Sequence, residues 1–179
     1  MGAFEQAWVL LKAPLDMDSI RDVGTVMQGR FPFHQFEADF IDPETNERLP
    51  AVARLSPDGL GVAHISDNEP DDMGHRRWRA EHYIHPTSLM GSSPFDNQIS
   101  FDTIDDPRGI YPYSIKTEPG YEGRGYQEAL IQLILRLAEN QNRRMYEPPL
   151  HMMSEQGLGF MRRLREKHAG DDRVGRPNP

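Results

Sequence analysis

One segment limits the folds open to this chain more than any other. Tyr111, Tyr113, Ile115 and Thr117 alternate with their neighbours as one side of a strand would, up to Pro119. Gly120, Gly123 and Gly125 then make a turn, and Tyr126 to Asn140 follows at once with helical periodicity. On that helix Glu128, Gln132, Arg136 and Glu139 fall on one stripe, while Ala129, Leu130, Leu133, Ile134, Leu137 and Ala138 cover the other side. A helix with one apolar side, joined to a strand by a tight turn, buries that side by packing back on a sheet. The segment therefore asks for an α/β protein. Glycines let backbone approach a ligand closely, and the unpaired N–H groups of a helix start attract phosphate. The same glycines can equally serve nothing more than a tight strand-to-helix turn.

The segments before the turn read mostly as strands. Phe36 to Ile41 alternates apolar with polar, Asp42 to Glu47 supplies turn formers, and Leu49 to Leu55 resumes an apolar run, which together predict a β-hairpin. Ser56-Pro57-Asp58-Gly59 is a second turn, and Gly61 to Ile65 a third strand. Arg76 to Ile84 alternates again, with Trp78, Ala80, His82 and Ile84 on the inward side. Phe4 to Lys12 has helical spacing that Pro14 ends, and Ile20, Val23, Val26 and Met27 predict a second, glycine-interrupted helix within Asp16 to Arg30. His85 to Gly109 is rich in Pro, Gly, Ser and Asp, with a strand expected near Ile99 to Ile104. After the long helix, Met145 and Tyr146 begin a strand, and Ser154 caps a last helix through Phe160, Met161 and Leu164. Residues 1–168 then form one domain, and 169–179, polar with Gly and Pro, a flexible tail.

Composition removes several function classes. A net charge of −8 argues against undirected binding to nucleic acid or anionic membrane, which needs clustered Lys and Arg. The absence of cysteine rules out disulfides, thiolate metal sites and a Cys nucleophile, and fits a cytoplasmic location. Met1 to Pro14 lacks a basic start and a small-residue cleavage site, so no signal peptide is expected, and no apolar run approaches the length of a membrane span.

The segment from Ile115 to Ile131 also resembles the coenzyme-binding motif of the GNAT superfamily of N-acetyltransferases. Ile115, Thr117 and Pro119 match the end of the family's fourth strand, Tyr121 the aromatic of its turn, Gly123-Arg124-Gly125 the centre, and Ala129-Leu130-Ile131 the start of its helix. Gln156-Gly157-Leu158-Gly159-Phe160 is similar to the family's closing Leu-Gly-Phe. The resemblance implies an α+β fold: a mixed, mostly antiparallel twisted sheet flanked by helices. It also implies a cleft where two strands diverge, holding acetyl coenzyme A, and direct acetyl transfer to a small-molecule or peptide amine. Gly123, Arg124, Gly125, Tyr126 and Gln127 would meet the pyrophosphate, and Ile115 and Thr117 would line the pantetheine arm. A homodimer is compatible with it. Two positions depart from the family pattern: Glu122 stands where it has Arg or Gln, and Gln127 where it has a small residue.

Acetyl transfer to an amine needs a base for the ammonium proton and an acid for the leaving thiolate. The family's late Tyr has no counterpart, since no Tyr follows Tyr146. Glu81 and His82 are the candidate bases, on the strand expected beside the cleft. His75, His82 and His85 raise a metal reading, but strand residues 82 and 85 face opposite sides, so no metal site is expected. Asp102, Asp105 and Asp106, and the basic clusters Arg143-Arg144 and Arg162-Arg163-Leu164-Arg165, read as solvated faces. Two other functions compete with acyl transfer. One is a GNAT-like domain that has lost its coenzyme and serves as a binding or assembly module, which Glu122 and Gln127 motivate. The other is a nucleotide-binding protein, for which the chain lacks a Walker lysine or an early Gly-x-Gly-x-x-Gly.

Overall fold

A computed structural model describes residues 15–89 and 104–147, together with positions 159, 162, 163, 166, 174 and 175. Eight strands form one sheet in chain order, β1 Leu15–Gln28, β2 Phe31–Ile41, β3 Arg48–Leu55, β4 Gly61–Ser66, β5 Trp78–Pro86, β6 Gly109–Thr117, β7 Arg144–Tyr146 and β8 Val174–Gly175. From β1 to β6 every neighbour is antiparallel, whereas β7 runs parallel to β6, and β8 parallel to β7. The reversal follows from the connection: helix α1, Tyr126–Asn140, carries the chain back over the sheet, as a parallel neighbour requires. The architecture is thus α+β with a mixed, mostly antiparallel sheet.

Turn chemistry explains the hairpins. Asp42 Oδ1 accepts the N–H groups of Glu44 (2.9 Å) and Thr45 (3.2 Å), which curls the β2–β3 loop back on itself. Between β3 and β4 the Ser56 hydroxyl accepts from the Leu60 N–H at 3.1 Å. One face of the sheet is apolar: Phe36, Ala38 and Phe40 of β2, Ala51, Ala53 and Leu55 of β3, Ala63 and Ile65 of β4, and Ala80 and Ile84 of β5 are all buried. The alanines leave room for Leu130, Leu133, Ile134 and Leu137 of α1, so large helix residues meet small strand residues. Gln132, expected on the polar stripe, is buried as well.

The chain from Asp16 to Gln28 is a strand, not a helix, and Gly29 and Arg30 form the turn into β2. Its register against β2 shifts between Asp16 and Arg21 and again between Asp22 and Gly24, where φ is 80°. Those bulges break the period of two, which is why Ile20, Val23 and Val26 mimic helical spacing. β6 has a bulge too. Tyr83 pairs with Ser114 but Ile84 with Pro112, so Tyr113 is an extra residue, and Pro112, with no N–H to give a ladder, sits where one is interrupted. Tyr111, opposite His85, therefore faces away from the side of Ile115 and Thr117, which correct the single-sided reading of all four. Tyr113 is 49% exposed and stacks on His85 at 4.1 Å. The helix expected at Phe4 to Lys12 lies outside the described residues, as does most of the strand expected near Ile99 to Ile104; positions 159, 162, 163 and 166 are helical.

Candidate functional site

The glycine-rich turn is built as the alternation and the glycines require. The Glu118 N–H donates to Arg79 O at 2.8 Å and the Tyr121 N–H to Glu118 O at 3.2 Å, after which Gly120, Gly123 and Gly125 take φ of 91°, 73° and 84°. These angles are costly for any residue with a Cβ. Glu122 does not reach outward, for its carboxylate accepts the Gly120 N–H at 2.7 Å. Gly125 is the N-cap of α1 and no side chain caps the helix. The N–H groups from Gly123 to Gln127 accordingly have no hydrogen-bond partner among the described residues. They form a row of donors at the positive end of a helix of 15 residues.

Two contacts fix this turn on the rest of the molecule. Arg124 is 18% exposed and pairs with Asp42 at 3.3 Å and Glu44 at 2.9 Å, so its guanidinium ties the turn to the β2–β3 loop. Tyr126, buried beside Phe40, donates its hydroxyl to Asp42 Oδ2 at 2.7 Å, and Arg79 Nη1 donates to the same hydroxyl at 3.2 Å. Arg79 also pairs with Asp67 and, at 3.1 Å, with Glu47, and its guanidinium lies 4.8 Å from the Tyr121 ring centre. Burial alone would raise the Asp42 pKa, but the bonds from Tyr126, Glu44, Thr45 and Arg124 outweigh it and hold the carboxyl below its usual range. Tyr126 is raised, by burial and by the carboxylate that accepts its proton.

Gln127 occupies the ground between the turn and β6. Its Nε2 donates to Lys116 O at 2.8 Å and to Thr117 Oγ1 at 2.5 Å, and its Oε1 meets Nε2 of His82. β6 pairs with β7 at Gly109 and Ile110, and among the described residues no strand pairs with that edge of β6 from Pro112 onward. The two strands therefore part, and the Gln127 amide bridges the opened edge to the helix. Ile115, half-buried, packs against the core beside this bridge.

The candidate bases separate. His82 is fully buried on the side of α1, its Nδ1 has no partner, and burial lowers its pKa to about 4 despite the bond to Gln127. Glu81, the next residue, points to the opposite face, where it lies across from Lys116 and His64 in the ladder and is half-exposed. His85 also lies on that face, against Tyr113. Among the described residues no three His, Asp or Glu side chains converge as metal ligands would. No described helix is long and apolar enough to cross a membrane.

Asp42 and Arg79 were not among the residues singled out from sequence. Asp42 reads there as a turn former, and its second task, holding Tyr126 and Arg124, depends on a contact across 84 and 82 residues. No protein-family model, curated protein or solved structure matches this chain.

Proposed function

We propose that this chain is an acyl-coenzyme-A-dependent N-acyltransferase of GNAT type, which passes an acetyl group directly to an amine. The row of unpartnered N–H groups from Gly123 to Gln127 carries the reading. A pyrophosphate brings negative charge that these donors and the helix dipole stabilise without any lysine. The pantetheine amides would pair with the free edge of β6 beyond Ile110, as a strand would, alongside Ile115 and Thr117. The amine nitrogen attacks the thioester carbonyl carbon, the C–N bond forms, the C–S bond breaks, and the coenzyme leaves as its thiolate, which takes a proton from water. Glu81 is the carboxylate we assign to take the ammonium proton, through water. His82 is closed off from substrate and helps instead to hold Gln127.

A second reading has an observation of its own. The Gln127 amide fills the edge a pantetheine would use, and Arg124 is committed to Asp42 and Glu44. Both fit a GNAT-like module that binds a partner and has no coenzyme.

Isothermal titration with acetyl coenzyme A separates the two. The enzyme reading expects micromolar binding that Gly125→Val weakens at least about tenfold, or about 1.4 kcal/mol, and that Gln127→Ala strengthens, followed by thiol release on adding an amine. No binding by either the unmodified chain or Gln127→Ala at millimolar ligand leaves the module.

A further inference from the structure

The opposite end of α1 carries positive charge that the proposed coenzyme site does not use. Past Asn140 the chain turns sharply, with Asn142 at φ 51° and the Arg143 N–H donating to Ala138 O at 2.8 Å. This brings the Arg143 guanidinium under the β3–β4 loop, where Nη2 donates to Pro57 O. Its Nη1 is buried without a hydrogen-bond partner. A Cβ on Gly59 would stand 3.0 Å from that atom, so the loop is shaped around the guanidinium. Arg108, at the entry to β6, donates Nη1 to Asn142 O at 3.4 Å.

Both arginines line one cleft of about 340 Å³, with His34, Gln141, Phe33 and Leu55. That volume lies within the range of roughly 300–1,000 Å³ typical of small-molecule sites. Among the described residues neither guanidinium has a carboxylate within ion-pair distance. Asp58 and Asp106 act on Arg143 from farther away, and Asp22 is engaged with His34, 2.7 Å from its Nε2. Burial first, and then the nearness of Arg108, lower the Arg143 pKa, as expected for a cation short of a counter-ion. Capping the carbonyl end of α1 accounts for the bond from Arg108 to Asn142, but each guanidinium has five N–H donors, and the bonds named use one apiece.

We infer that this cleft binds a small oxyanion, a carboxylate or phosphate group carried on an apolar body. Arg108 and Arg143 hold the anion, and Phe33 and Leu55 lie against the body. The paired geometry of a guanidinium fork suits either oxyanion. The site is independent of the coenzyme reading, since it stands at the other end of the helix.

The test is isothermal titration of the full chain with benzoate, with phenyl phosphate and with inorganic phosphate, in the unmodified protein and in Arg108→Ala, Arg143→Lys and Gly125→Val, with circular dichroism to check folding. At least one aromatic anion is expected to bind with a Kd at or below about 1 mM and more tightly than inorganic phosphate. Arg108→Ala, an exposed side chain whose loss spares the core, should weaken it at least about tenfold, and Gly125→Val should leave it unchanged. The tighter of the two aromatic probes tells carboxylate from phosphate. Absence of binding by all three at about 10 mM overturns the inference, as does binding that survives both arginine changes, or that Gly125→Val alone removes.

Discussion

Among the described residues, His82 and His64 are the histidines whose protonation burial opposes most strongly. His82 is fully enclosed between β5 and α1, and His64 is packed flat on Trp78 at 4.3 Å with its Nδ1 unpartnered. Burial lowers both to about 4 from the ordinary 6.5, with the Arg54 charge adding to the effect on His64. In the unfolded chain each takes a proton near 6.5, while in the folded chain each stays neutral down to about 4. The unfolded state thus binds more protons throughout that window. Stability is full above about pH 6.5 and falls as pH drops toward 4, with a slope that approaches about 3 kcal/mol per pH unit when both groups contribute. Asp42, held below its usual range, begins to add its own loss at the acid end of this window and loses most of its contribution below it. Urea unfolding midpoints measured across pH 4–7 should show the slope, and His64→Gln should remove about half of it. A flat profile would mean that water reaches both rings.

At the scale of elements, the β2–β3 loop and the glycine-rich turn act as one unit. Asp42 receives Tyr126 and Arg124 from the turn and the N–H groups of its own loop, so removing it leaves the buried Tyr126 hydroxyl, the part-buried Arg124 and the loop N–H groups without their acceptor. Asp42→Ala is expected to cost about 3 kcal/mol or more, since breaking one member of a buried charged network leaves the others unpaired. Arg124→Ala should cost less, because Glu44, its other partner, is well exposed. A double-mutant cycle by urea unfolding should give a coupling of about 1–2 kcal/mol between them; additive losses would mean that the turn and loop stand independently. This joint was not readable in the chain, whereas the turn was. Gly120, Gly123 and Gly125 announce positive φ by themselves, and the apolar period of Tyr126 to Asn140 gives α1 its bounds. The hairpins from Phe36 to Ile84 were legible for the same local reason. What escaped was whatever depends on partners far along the chain. The bulges of β1 are imposed by β2, the side taken by Tyr111 is set by pairing with β5, and Gln127 meets His82 across 45 residues. Pro112 was a visible sign of the β6 bulge, because a proline inside an alternating strand removes a ladder donor.

At the scale of the molecule, two candidate anion sites sit on a chain of net charge −8. Local positive potential resolves this, since at physiological salt charges beyond a Debye length of about 8 Å are largely screened. The two sites lie at opposite ends of α1, whose 15 residues set them roughly 22 Å apart at 1.5 Å per residue. At that separation neither ligand would feel the other's charge strongly. Each ligand should then stabilise the fold by its own mass-action term, about 2.7 kcal/mol at a hundredfold excess over Kd, and the two terms should add. Amide hydrogen exchange read residue by residue gives the sharper form of the test. Acetyl coenzyme A should slow exchange at Gly123 to Gln127 and along Ser114 to Thr117, where donors lie free at the turn and the β6 edge. Phenyl phosphate should slow it around Gln141 to Arg143 and in the β3–β4 loop, leaving the turn unchanged. If either ligand protects both ends, or abolishes the other's protection, the two ends form one site, and the charge at Arg108 and Arg143 belongs to the same ligand as the turn.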